Sequence, residues 1–243
     1  MDKKYELTPN LRKRLEQKKK RRLKRKREKR NWKAAVGIIA VAGLLVVFLY
    51  KMNILPQWYY DNADFGIKEF QSSVDQDGDG IDDQTDILQG VRDYIATKPK
   101  YKSVYYATGY PNDEYGVCTD VVANGLLAAG YDLMELVSAD IAANREDYEI
   151  DIPDKKIDFR RVRNLYVYFQ NTAISLTTDV TQIDQWQGGD IVVFKSHIGV
   201  VSDNRNVQGI PYVIHHGSPT QIGYEQDILM ERDDIIGHFR ITE

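Results

Sequence analysis

The hydrophobic positions of this chain fall into three regimes. Residues 34–50, AAVGIIAVAGLLVVFLY, carry no charge and no strongly polar side chain. At about 1.5 Å per residue this run makes roughly 25 Å of helix, the short end of a membrane span. Beyond it the apolar residues recur at helical spacing. Ile87, Leu88, Val91, Tyr94 and Ile95 form one stripe; Val122, Leu126 and Ala129, with Val121 alongside, form a second; Val162, Leu165, Tyr166 and Phe169 form a third. Asp132, with Glu135 three residues on, reads as the start of a further helix with a capping box. In the last third the period changes. GGDIVVFKSHIGVVSD, residues 188–203, reads as two short strands around a turn near Lys195 and Ser196. PYVIHHGS from Pro211 and GHFRI from Gly237 read as two more. Helices first and strands later predict an α+β domain with helices packed on an antiparallel sheet, preceded by one transmembrane helix.

Charge supports the span. Of the 33 Lys and Arg, 17 lie in residues 1–33, which hold only 4 of the 36 Asp and Glu. The tail is strongly basic and the remainder strongly acidic, although the chain as a whole carries a net charge of −3. Trp32 precedes the apolar run, and Trp58, Tyr59 and Tyr60 follow it as candidate interfacial aromatics. Lys51 can snorkel to the headgroups while Met52, Ile54 and Leu55 extend the apolar stretch. A buried core helix is the alternative. The positive-inside tendency keeps residues 1–33 in the cytoplasm and puts the C-terminal domain outside, in a single-pass cell-membrane topology. The leader is too long for a cleaved signal peptide, and YKMNILPQW offers no small-x-small cleavage site. Anionic lipid is the expected partner of the tail; nucleic-acid binding has only composition in its favour.

The remaining stretch suits one domain, or one domain with a small appendage. Cys118 is the only cysteine, so no intramolecular disulfide can form. Residues 75–86, DQDGDGIDDQTD, resemble the calcium loops of EF-hand and dockerin modules. Asp75, Asp77 and Asp79 fall at loop positions 1, 3 and 5, and Gly80 falls where the chain must turn. Ile81 offers a carbonyl at position 7, with Asp83 at 9 and Asp86 at 12. Position 12 is usually a bidentate Glu, and Asp86 is shorter. Structural Ca²⁺ is therefore the expected cofactor, against the alternative of an acidic turn that binds nothing tightly. No organic cofactor is expected.

Gly109, Pro111, Asn112 and Gly116 mark a loop before the second helical stripe, so Cys118 falls at or just before a helix N-terminus. Free backbone N–H groups and the helix dipole favour a thiolate there; a buried structural cysteine is the other reading. Asp120 either caps the helix or touches substrate. Arg160 and Arg161, beside Asp158 and Arg163, either position an acidic substrate or hold a loop through salt bridges. His197 opens one strand and His215 or His216 lies on the next, so neighbouring strands can bring two histidines together.

A Cys at a helix start, a Gly-Asp-hydrophobic strand, a strand beginning His-hydrophobic-Gly and a strand ending hydrophobic-Ile-His resemble the NlpC-type cell-wall cysteine peptidases of the papain-like group. The chain is still more similar to a family of bacterial exported proteins, a domain of unknown function in that superfamily. The shared motifs are Gly-Val-Cys-Thr-Asp-Val at 116–121, Arg-Arg-Val at 160–162 and Gly-His-aromatic-Arg at 237–240. The resemblance implies a papain-like fold over residues 87–243, with Cys118 as nucleophile, His197 as general base and His215 orienting the base. The peptidases usually carry Asp-Cys-Ser-Gly where this chain has Val117-Cys118-Thr119-Asp120. The expected organisation is a basic tail (1–33), a signal anchor (34–55), a juxtamembrane segment with the calcium-type loop (56–86) and the domain (87–243). The expected activity is a membrane-anchored cysteine amidase or peptidase acting on peptidoglycan. A non-catalytic tethered module that binds wall material or a partner is the alternative.

Overall fold

The computed structural model describes residues 9–51, 54–55 and 58–243, so Met52 of the expected span lies outside the described residues. The chain divides into two units, Met1–Leu55 and Pro56–Glu243.

In the first unit, helix α1 (Pro9–Lys51) runs unbroken for 43 residues, so the basic run and the apolar run share one helix. It is long and apolar enough to cross a membrane. Its apolar side chains project all round, with Ile38 and Ile39 each 70% exposed. A helix that is apolar on every face suits hydrocarbon better than water.

In the second unit, residues 58–82 of the juxtamembrane segment are tied to the domain. Tyr60 and Arg205 exchange backbone hydrogen bonds (3.0 and 2.7 Å), Asn62 Nδ2 donates to Gln187 Oε1 (3.0 Å), and Ser72 meets Thr242 hydroxyl to hydroxyl (2.7 Å). Arg205 is fully buried and donates to Asn62 Oδ1 (2.6 Å) and to the Gly209 and Trp186 carbonyls (2.6 and 2.5 Å). These polar ties fix the segment to the domain, where periodicity had no apolar stripe to detect.

Helix α2 (Asp83–Ala96) begins where the Asp82 carboxylate accepts from Thr85 N–H. A short parallel pair, β1 (Lys100–Tyr101) with β2 (Tyr115–Gly116), follows and leads into α3 (Cys118–Ala128). Then come α4 (Leu133–Ala143), α5 (Lys155–Asp158) and α6 (Val162–Thr172). Asp132 caps α4 through Met134 N–H (3.0 Å). Glu135 pairs with Lys155 rather than reaching back as a capping box. The strands are β3 (Ile174–Ser175), β4 (Ile191–Phe194), β5 (His197–Arg205), β6 (Pro211–Ile214), β7 (Glu225–Gln226) and β8 (Ile235–Arg240). They form one antiparallel sheet in the order β3-β8-β4-β5-β6-β7. The two outermost strands, β3 and β7, are each two residues long, too short for a period-2 signal.

Alternate residues of the central strands point to opposite faces. Ile191, Val193, Ile198 and Val200 join α2, α3, α4 and α6 in the main core. Val192, Phe194, Val201 and Val213 pack under Trp186, Ile210 and Leu229 on the other side. The sheet is buried on both faces, which is why β4 is a continuous apolar run. α2 and α3 cross closely at Gly90 and Gly125. A Cβ on Gly90 would strike Ala128, and one on Gly125 would strike Val91 and stand 3.0 Å from the Ile87 carbonyl.

Candidate active site

Cys118 is the first residue of α3, after Val117 in extended geometry (φ −138°, ψ −177°). Valine has no side-chain acceptor, so the helix start is completed from within: the Val117 N–H donates to Asp120 Oδ2 (2.8 Å). Asp120 is held in turn by Arg160, Nε to Oδ1 (2.7 Å) and Nη2 to Oδ2 (2.9 Å). Arg160 also donates to the Val104 carbonyl (2.7 Å), and Thr119 Oγ1 donates to the Arg160 carbonyl (3.3 Å). Both charged side chains of this pair are essentially inaccessible, at 2% and 0% exposure. Of the two readings open for each, Asp120 and Arg160 take the structural one: they are committed to each other and to the mouth of α3, not to a substrate. Arg161 is exposed. It lines, with Arg160 and Arg163, a cavity of about 750 Å³ that also carries Glu149 and Asp154.

The main-chain N–H of Ile198, on β5, and nearby N–H groups of α3 itself act to lower the Cys118 thiol. α3 thus packs its first turn against the start of the strand that His197 opens. The thiol is nevertheless pushed up to about 11, because burial outweighs the N–H groups and Asp120 adds a like charge. Of the two readings open from position, burial favours the neutral buried thiol: the dipole acts, but desolvation of the thiolate is larger.

His197 and His215 meet as expected, Nε2 to Nδ1 at 2.9 Å. Their rings stand nearly perpendicular, at 84°. His215 lies just past the end of β6 rather than on it. Burial drives His197 down to about 4, with Arg232 adding to it. Burial likewise drives His215 down to about 3, with His197 as the next cause. Gly217 closes over the pair; a Cβ there would come within 3.3 Å of His197 and 3.4 Å of His215. With Nε2 engaged by His215, Nδ1 is the nitrogen of His197 left for a substrate or thiol proton. Among the described residues no hydrogen bond joins Cys118 to His197, and both groups rest neutral. His216 sits between the rings of Tyr101 (5.3 Å) and Tyr224 (5.1 Å).

One buried cluster was missed as such in the sequence. Asp190 accepts from His238 Nε2 (3.0 Å), Arg240 Nε (2.8 Å) and Gln84 Nε2 (2.9 Å), while His238 stacks on Trp186 at 3.8 Å. It ties α2, the turn before β4, and β8 together. The Gly-Asp and Gly-His-aromatic-Arg motifs were both visible; only the β4–β8 register, Val192 opposite His238, makes them one network.

In the acidic loop, Asp75, Asp77 and Asp79 bring carboxylate oxygens within 4.8 Å of one another. Asp83 is buried and uses both oxygens, accepting from Gln76 N–H (2.8 Å) and Tyr131 O–H (2.5 Å). Asp86 is raised to about 6, first by burial and then by Asp79, Asp77 and Asp75.

No solved structure matches the chain. The "Uncharacterized protein YijF" of Escherichia coli (strain K12) is 36% identical over 168 residues, covering 63% of this chain and 80% of that protein. The family described as "Domain of unknown function (DUF1287)" matches residues 88–241, from within α2 to just past β8. By that match and that relative, the chain belongs to the DUF1287 family.

Proposed function

We propose that the protein is a membrane-anchored cysteine amidase or peptidase of NlpC-type, papain-like descent. α1 anchors it with the basic tail in the cytoplasm and the domain outside, where it acts on an amide bond of peptidoglycan. One observation carries this reading: Cys118 opens a helix packed on the strand that His197 opens, and His197 meets His215 at 2.9 Å. A thiol near 11 is ionised only about one part in 10⁴ at neutral pH. The nucleophile is therefore generated during attack rather than stored as an ion pair. His197 takes the Cys118 proton as sulfur adds to the substrate carbonyl, then delivers it to the departing amine. A thioester remains, and water attacks it with His197 again as base. A backbone N–H at the start of α3 receives the oxyanion. His215 fixes the His197 ring so that Nδ1 faces the thiol.

A second reading, a non-catalytic tethered module that binds wall material, has its own support. The thiol is raised, and among the described residues no hydrogen bond links it to His197. One experiment separates the two. Full-length protein in detergent is incubated with purified peptidoglycan and the supernatant is analysed by mass spectrometry. Release of fragments with new amine and carboxyl ends, lost in Cys118→Ser and His197→Ala, is the expected result. Release that survives Cys118→Ser would refute the enzyme. Wall binding without any release would establish the second reading in its place.

A further inference from the structure

The geometry points to a binding site for a hard divalent cation of calcium's size, independent of the hydrolase reading. Its ligands are the carboxylates of Asp75, Asp77, Asp79 and Asp86 and the carbonyl of Ile81. The three loop carboxylates converge within 4.8 Å but are exposed, and exposed acidic turns commonly bind nothing. The second observation is Asp86. It comes from the first turn of α2 rather than from the loop, and it is only 9% exposed. Among the described residues no hydrogen bond or ion pair falls on its carboxylate. The charges that act on it are Asp79, Asp77 and Asp75, followed by Asp82. A carboxylate on a largely buried residue, without a donor and under the charge of three of its own sign, is a poor arrangement unless a cation completes it.

The neighbouring groups sort into frame and ligand. Asp75 accepts from Gly78 and Gly80 N–H (2.7 and 2.9 Å). Asp77 accepts from Asp79 N–H (3.1 Å) and Asp79 from Ile81 N–H (2.8 Å), each through a single oxygen, which leaves the other free among the described residues. Asp83, at loop position 9, has both oxygens occupied by Gln76 and Tyr131, so it belongs to the frame beneath the ion. An all-oxygen set of this size suits Ca²⁺; softer metals want nitrogen or sulfur, and Mg²⁺ keeps more of its own water. Asp86 is too short to reach as a position-12 Glu does, which points to weak, extracellular-type affinity, on the order of 10⁻⁴–10⁻³ M. The loop also touches the end of α3: Tyr131 bonds Asp83, and a Cβ on Gly130 would lie 3.1 Å from that of Asp77. The ion would therefore join the start of α2 to the corner between α3 and α4.

The test uses full-length chain in detergent, stripped with EDTA. Thermal unfolding is followed during CaCl₂ and MgCl₂ titrations at fixed ionic strength, with calorimetric titration alongside. For a dissociation constant near 10⁻⁴ M, 5 mM calcium should raise the folded-to-unfolded ratio about 50-fold, a shift of several degrees in Tm. Asp77→Asn, an exposed change that leaves the core untouched, should weaken the response at least tenfold. Asp86→Asn should raise the Tm of the metal-free protein, by removing a buried like charge, and abolish the calcium shift. Absence of both heat and Tm shift in the wild type would overturn the proposal, as would a shift that survives both variants. An equal response to magnesium would overturn the assignment of calcium.

Discussion

Replacing Arg160 by Met tests whether the arginine holds the mouth of α3 or serves a substrate. The wild-type pair is bidentate, at 2.7 and 2.9 Å, with both side chains out of solvent. Met fills a similar volume but leaves the Asp120 carboxylate with only the Val117 N–H as partner. Breaking one side of a buried ion pair costs about 3–5 kcal/mol, because the remaining charge is desolvated and uncompensated. For a domain of this size each kcal/mol moves Tm by about 2–4 °C, so Arg160→Met should lower Tm on the order of 10 °C. Adding Asp120→Asn removes the stranded charge while keeping an acceptor for Val117, so the double variant should recover a large part of the loss. The assay is a double-mutant cycle by thermal and urea unfolding. If Arg160→Met unfolds at the wild-type temperature yet loses activity or ligand binding, the structural assignment is wrong and Arg160 acts on substrate. If the double variant is no better than the single, the buried charge is not the source of the cost.

Three further outcomes follow from the same geometry. Because the Cys118 thiol is raised to about 11, alkylation by iodoacetamide should be slow at pH 7 and keep rising through pH 9–10; a plateau reached by pH 7 would contradict a buried neutral thiol. His197 and His215 fold with values depressed to about 4 and about 3, so the unfolded chain binds more protons below its ordinary value of about 6.5. Stability from these two groups is complete above that value and should fall as pH drops from about 6.5 toward 4. His197→Gln should flatten that part of a urea-midpoint profile, and an unchanged slope would count against the buried pair. Gly125→Ala gains about 1 kcal/mol of helix propensity, but its methyl meets Val91 and stands 3.0 Å from a main-chain oxygen that cannot rotate away. Overpacking by about 1–3 kcal/mol should win, giving net destabilisation by urea unfolding; a stabilised variant would show that α2 and α3 can separate freely.

Periodicity and charge alone determined the long apolar helix, three of the core helices, the four strands of the central sheet and the position of Cys118 at a helix start. Those features depend on spacing within one segment, and spacing is local. The same locality explains what stayed hidden. Residues 58–82 have no periodic stripe because they are held by hydrogen bonds to Arg205, Gln187 and Thr242, more than a hundred residues away. Strands β3 and β7 owe their pairing to neighbours, since two residues cannot show an alternation. The histidines could be placed on adjacent strands from sequence, but their 2.9 Å contact required the β5–β6 register. Motif position could raise Asp120 and Arg160 as candidates; only the tertiary structure pairs them with each other. It also weighs the two readings of the thiol that position left open. A helix N-terminus favours a thiolate through its own few N–H groups, whereas burial is imposed by the sheet packed over it, and the cost of desolvating a charge is the larger of the two.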